Sequence, residues 1–254
     1  MMKRKMQKKH IPGWAVGLIW LALWTGAAAA LGQPLLLPGP LDTLRALADM
    51  CVTAGFWQST GASLLRVTGG FVWAVGAGTV LAYGCFFVPW LDDLLSPLCT
   101  VVRATPVTSF IILVLLWLNY DATPVFISFL MVTPMVWTGL REGLEGVDAS
   151  LVEMTKAFHY TPLRRLCHLY IPATLPHFTA ACATGLGFAW KSGIAAEVIA
   201  KPVLSIGKNL QDAKVYLETP RLFAWTLVVI LLSLALEKIL MAGLRRLSGW
   251  RRKI

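Results

Sequence analysis

Long apolar stretches alternate with short polar intervals along this chain. Six such stretches can be drawn, over about 12–32, 64–88, 96–118, 122–141, 178–200 and 222–243. A helix needs ~20 apolar residues to cross the hydrocarbon core of a bilayer, and each stretch approaches or exceeds that length. The pattern predicts an all-α membrane protein with six transmembrane helices. Its polar intervals are a segment over 33–61, a turn at Pro89–Asp93, a turn at Asn119–Ala122, a longer segment over about 143–176 and a loop over 201–221.

Composition agrees with the pattern, at 57% hydrophobic and 14% charged residues in 254. That is more apolar than a soluble domain. The formal net charge of +10 is spread by topology. Lys3, Arg4, Lys5, Lys8 and Lys9 precede the first apolar run, and Arg245, Arg246, Arg251, Arg252 and Lys253 follow the last. Arg141, Lys156, Arg164 and Arg165 lie in or beside the 143–176 segment, whereas the intervals on the other side hold Arg45, Lys201, Lys208, Lys214 and Arg221. By the positive-inside rule both termini and the 143–176 segment are expected in the cytoplasm. The turn carrying Asp92 and Asp93 is the one inner interval without a basic residue. Residues 1–11 and 247–254 read as basic tails around a membrane domain over 12–246. The apolar run Ile11–Leu31 exceeds a usual signal-peptide core, so an uncleaved first helix is expected. The basic residues form no stripe interleaved with aromatics, so membrane lipid is the expected anionic partner and nucleic acid is not.

Two runs carry small residues every fourth position: Gly70, Ala74, Gly78 and Ala82, then Ala181, Gly185, Ala189 and Gly193. Such faces let helix backbones approach closely in lipid, in a tight bundle or at a subunit interface. The polar segment "SLVEMTKAFHYTPLRRLCHLYIP", Ser150–Pro172, reads differently. Ser150 and Glu153 have capping-box spacing, predicting a helix from Leu151 whose apolar face holds Leu151, Met154 and Phe158. A stop near His159–Tyr160, a Thr161 cap with Pro162 at the first helical position, and an end at Pro172 define a second short helix. Periodicity leaves two roles open: a hairpin lying on the membrane surface, or a knob for the groove of a soluble partner.

Glu153, Met154, Thr155, His159 and the ending Leu169-Tyr170-Ile171-Pro172 resemble the "EAA" loop of permease subunits in bacterial ATP-binding-cassette importers. Met154 and Thr155 replace that pattern's two alanines, and His159 stands where glycine is usual. Elsewhere "LLPGPLDTLRAL", "FWQSTGASLLRVTGGF", "VVRATPV", "FAWKSGIAAEVIA" and "SIGKNLQDAKVYLETPRLFAW" are similar to the nitrate, sulfonate and taurine branch, which includes carriers of thiamine-precursor pyrimidines. The resemblance implies a type I importer permease in a bacterial inner membrane, working by alternating access. It also implies two cytoplasmic ATPases, an extracytoplasmic solute-binding protein and a second permease copy as partners. Glu153, Met154, Thr155, Lys156, Ala157, Phe158, His159, Ile171 and Pro172 are the residues it assigns to ATPase coupling.

Charges within spans are costly at ~2.5–3.5 kcal/mol on insertion scales, so they face protein or a watery path unless they snorkel. Lys191, Glu197 and Arg103 are the pathway candidates. Lys191, mid-span, reads as lining a pathway or pairing with another helix; Glu197 lies near its span's outer end. Arg103 reads first as structural. A separation of six residues sets Lys191 and Glu197 on different helix faces, so direct pairing is not expected. "GLGFAWKS", Gly185–Ser192, has Trp190 where a phosphate-binding loop needs its second glycine, so ATP hydrolysis is expected of a partner. Cys51, Cys85, Cys99, Cys167 and Cys182 form no CxxC pair, and the four histidines form no cluster within a span. Neither cofactor, metal site nor membrane-embedded enzyme is expected. An ion-coupled secondary transporter is the competing class, but inverted repeats and broken helices are not evident in the sequence.

Overall fold

The computed structural model describes residues 12–250, without the side chains of 245–250. The basic side chains expected in the two tails lie outside that description. The described elements are helices: α1 (Gly13–Leu31), α2 (Pro40–Cys51), α3 (Ala54–Phe87), α4 (Pro89–Ala104), α5 (Val107–Val114), α6 (Ala122–Glu145), α7 (Ala149–Ala157), α8 (Pro162–Arg165), α9 (Ile171–Ala200), α10 (Ile206–Val215) and α11 (Thr219–Trp250). A π-helical turn, Leu166–Tyr170, joins α8 to α9. Helices α1, α3, α6 and α11 are each long and apolar enough to cross a membrane, and the bent pair α4 and α5 meets the same test together.

The bundle is built around α6, which packs along both α3 and α9. Val132, Val136 and Leu140 of α6 are buried against Val67, Phe71 and Ala74 of α3 and Leu186, Ala189 and Trp190 of α9. The two small-residue runs make this possible. A Cβ at Gly78 would stand 2.8 Å from the Val136 side chain, and one at Gly193 would stand 2.6 Å from Val67 and from the Ser128 hydroxyl. Both small faces thus serve packing inside one subunit, where close contact substitutes for hydrophobic exclusion. Trp190 fastens α11 by donating from Nε1 to the Val229 carbonyl at 3.0 Å. Trp24 pins α1 by donating to the Pro38 carbonyl and stacking on Phe223.

Three boundaries differ from the apolar pattern, each at a proline. The predicted third span is two helices meeting at 105°. Thr105, preceding Pro106, is held extended at φ −82°, ψ 133°, because a residue before proline is pushed out of the α region. The predicted turn at Pro89–Asp93 is instead the first turn of α4; the break is Val88, again the residue before a proline. Pro172 does not end its helix. The Ile171 N–H bonds to the Leu166 carbonyl five residues back, and this wider turn accommodates the proline ring in the first turn of α9. The predicted fifth span falls within α9, which is already under way from Ile171. Among the described residues four helices, or five spans with the bent pair, are long and apolar enough to cross a membrane where the pattern predicts six, and α9 is not one of them.

Candidate functional site

The segment between α6 and α9 forms a hairpin at one end of the bundle. Its first helix starts at Ala149, two residues earlier than the capping-box spacing predicts. Asp148, rather than Ser150, is the cap, its carboxylate accepting the Ser150 N–H at 2.9 Å. That hydrogen bond from the backbone, seconded by the Ser150 side chain, holds the Asp148 carboxyl below its ordinary range. The predicted cap of the second helix is present, with Thr161 Oγ1 accepting from the Arg164 N–H and Pro162 in the first turn.

Between the two helices the chain reverses through a left-handed residue. The His159 N–H bonds to the Lys156 carbonyl at 3.0 Å and the Tyr160 N–H to the Thr155 carbonyl at 2.9 Å. These two bonds make a Schellman motif with His159 at its left-handed position, φ +49°. Glycine is the residue of least cost there, because it has no Cβ to meet the carbonyl. The backbone thus accounts for the glycine usual at this place in the resembling loop, and His159 adopts the conformation at a cost.

Leu151, Met154 and Phe158 do share a face, and it is exposed: Phe158 keeps 71% of its surface, and Leu163 of α8 keeps 69%. Glu153, Lys156, Ala157 and His159 are also exposed, while Thr155 is buried and turned inward, its hydroxyl bonded to the Val152 carbonyl. The far side of the hairpin is anchored. Tyr170 is buried with edge contacts to Phe86 and Phe87 at ring separations of 5.2 and 6.0 Å. One turn on, the Thr174 hydroxyl meets that of Tyr83 at 2.8 Å. The hairpin is thereby fastened to the end of α3. Pro172 is exposed and Ile171 half-buried at the start of α9. Nearby Arg141 of α6 bridges Asp92 of α4 and Glu145, each at 2.7 Å.

The span charges occupy two settings. Glu197 is fully buried near the opposite end of the bundle. Its carboxylate accepts from the Ser63 hydroxyl at 2.7 Å, the Gly207 N–H at 3.1 Å and Arg66 at 3.4 Å. Arg66 also donates to the Leu204 carbonyl and pairs with Asp121. The α10 N-terminus is thereby fastened to α3 and α9 through one carboxylate. Lys191 and Arg103 are exposed and unpaired among the described residues. Lys191 and Glu197 do not pair, as their spacing predicts. Ser63, Arg66 and Asp121 were not singled out by the sequence; an arginine in one apolar run and a glutamate in another were the available signal. All five cysteines are free, and among the described residues no His, Cys, Asp or Glu group could hold a metal ion.

Among the described residues the structure is a helical membrane bundle with a polar hairpin that presents an exposed apolar ridge and is anchored on α3. The sequence profile of the binding-protein-dependent transport system inner membrane component family matches residues 74–249, and the chain belongs to that family. It is 28% identical over 248 residues to the probable ABC transporter permease protein BAB2_1148 of Brucella abortus (strain 2308), covering 96% of each chain. It is 27% identical over 233 residues to the taurine transport system permease protein TauC of Escherichia coli (strain K12), covering 89% of this chain and 84% of that one. Its fold is similar to a chain of the MetNI methionine ABC transporter in an inward-facing crystal form, with TM-score 0.55 at 16% identity over 74% of this chain and 94% of that one. The protein is accordingly the multi-pass permease subunit of an ATP-binding-cassette importer of the bacterial inner membrane, with the architecture of the type I class. The ion-coupled alternative is not favoured by these similarities.

Proposed function

We propose that the 143–176 hairpin is the cytoplasmic element through which a separate ATPase drives this permease, with both chain termini on the same side. The supporting observation is the exposed ridge of Leu151, Met154, Phe158 and Leu163 on a hairpin whose opposite side is fixed to α3 by Tyr170. Apolar side chains at helical spacing suit a groove in a partner, and Glu153 and Lys156 beside them supply polar orientation. Glu153, Met154, Lys156, Ala157, Phe158 and His159 make the contact, buried Thr155 supports them from inside the hairpin, and Ile171 and Pro172 carry its displacement into α9. The partner hydrolyses ATP; this subunit performs no catalysis.

Two copies of the chain, served by an extracytoplasmic solute-binding protein, would alternate between outward and inward openings around a path between them. Lys191 and Arg103, exposed and unpaired, fit the walls of that path, whereas Glu197 fits a structural clasp. Cationic walls suit an anionic solute, and similarity to the taurine permease makes a small sulfonate the first substrate to assay. Replacing Phe158 or Glu153 by Ala should reduce copurification of the ATPase and substrate-stimulated ATP hydrolysis together. Unchanged assembly and coupling in both variants would sink the docking role.

A further inference from the structure

Lipid-facing surfaces of this bundle are easily recognised. On α3 they carry Leu65, Val72, Trp73 and Val80, which keep 66–76% of their surface, and on α11 Leu231, Leu234 and Ile239. One exposed face of α9 is of another kind. It holds His177, Thr184 and Lys191, all exposed, with exposed Ala180 between the first two and exposed Phe188 between the last two. Steps of seven residues are nearly two helical turns, so the three polar side chains fall in one line with a drift of only ~20° per step. A line of imidazole, hydroxyl and ammonium is disfavoured against lipid tails and favoured against water.

Arg103 closes the line from the side. At the end of α4, just before the 105° bend, it lines a cavity of about 290 Å³ together with Thr138, Glu142, His177 and Thr184. Among the described residues Arg103, His177 and Lys191 have neither an ion pair nor a side-chain hydrogen bond, whereas Arg66 and Arg141 are each paired with acids. The two threonine hydroxyls donate to carbonyls one turn back, Thr138 to Pro134 and Thr184 to Ala180, and can rotate toward a ligand. Glu142 is the acidic member of the wall, and it limits how tightly an anion is held, as release from a transport path requires.

From this arrangement, and resting on the permease reading above, we infer that the groove between Arg103 and the His177, Thr184, Lys191 line of α9 is a subsite for the oxyanion group of the transported solute. The Arg103 guanidinium offers paired donors that match a sulfonate, sulfate or carboxylate, and Lys191 supplies a second point charge further along the helix. The site is an anion track rather than a general water-filled passage, so its charge selectivity is measurable without knowing the solute.

The full-length permease in lipid nanodiscs, with Cys51 and Cys167 replaced by Ser, provides the background; the other three cysteines are buried. Thr184→Cys and, separately, Ala180→Cys are treated with a methanethiosulfonate bearing a sulfonate and with one bearing a trimethylammonium group. Rates are normalised to those at exposed Cys167 in a separate protein that keeps this cysteine and has Cys51 replaced by Ser. The expected result is a preference for the anionic reagent of about tenfold or more, the local concentrating effect of a cationic cleft, which collapses in the Arg103→Gln, Lys191→Gln double variant. Inorganic sulfate should slow the anionic reaction at both positions. Unreactive cysteines at both positions, or equal or reversed preference, would overturn the subsite. The permease reading fails separately, through loss of ATPase copurification in the unsubstituted protein.

Discussion

The Ser63 hydroxyl on α3 donates to the Glu197 carboxylate on α9 at 2.7 Å while accepting the Ile206 N–H at 2.9 Å. One hydroxyl and one carboxylate thus tie three helices, with Gly207 completing the tie at a place where any Cβ would strike Glu197 itself. Losing one partner of a buried charged pair costs about 3–5 kcal/mol, because the other charge is left unsatisfied. Glu197→Ala should therefore lower the unfolding temperature of the purified protein sharply. Glu197→Gln should cost less, on the order of 1–3 kcal/mol, since an amide oxygen still accepts from Ser63 and Gly207. Equal unfolding temperatures for Ala, Gln and parent would contradict the clasp.

A second prediction concerns backbone alone. His159 at φ +49° and Leu217 at φ +58° each occupy the left-handed position after a helix, and both side chains are exposed. Glycine at either place relieves the Cβ clash, offset partly by the extra freedom glycine gives the unfolded chain. His159→Gly and Leu217→Gly should each stabilise the protein by about 0.5–1 kcal/mol, seen as a raised unfolding temperature. A β-branched residue at 159 should do the reverse. A lowered unfolding temperature for both glycine variants would refute the reading.

The Asp148 cap makes the hairpin sensitive to acid. A carboxyl held low by the Ser150 N–H contributes to stability above its unfolded-state value, and that contribution disappears as pH falls through the folded-state value. Hydrogen exchange over residues 149–152, corrected for intrinsic rate, should lose protection as the pH drops through that acidic range. Asp148→Asn keeps an acceptor without a charge and should flatten the dependence. Identical pH profiles for the two proteins would show that the cap carries no such linkage.

The long apolar helices were legible because the bilayer imposes a length, and the small-residue runs because close packing in lipid imposes a spacing. Proline positions misled in both directions. Pro106 sits among apolar residues, so the elbow between α4 and α5 looked like one span. Pro172 follows an apolar stripe and looked like a stop, yet a π-helical turn carries the helix past it. The exposed ridge of the hairpin followed from local periodicity, but the cap fell to Asp148, whose carboxylate takes the Ser150 N–H and starts the helix two residues before the capping-box spacing does. Glu197 was noticed as a charge out of place; its partners Ser63 and Arg66 lie 134 and 131 residues away, and spacing along the chain carries no signal at that range.

Under the proposed docking role, replacing Tyr170 should separate docking from transmission. This residue lies on the side of the hairpin opposite Phe158 and packs edge-on against Phe86 and Phe87, so its loss leaves the exposed ridge intact. Aromatic pairs of this geometry are worth about 0.5–1.5 kcal/mol beyond the area they bury. Tyr170→Leu keeps an apolar side chain there but loosens the joint between hairpin and α3. The ATPase should still copurify with this variant, while solute uptake per ATP hydrolysed should fall. Phe158→Ala should lose copurification first. If Tyr170→Leu instead abolishes assembly while uptake in Phe158→Ala is untouched, the two faces of the hairpin have the opposite roles. If Tyr170→Leu leaves both assembly and uptake unchanged, the displacement reaches the bundle through α9 alone.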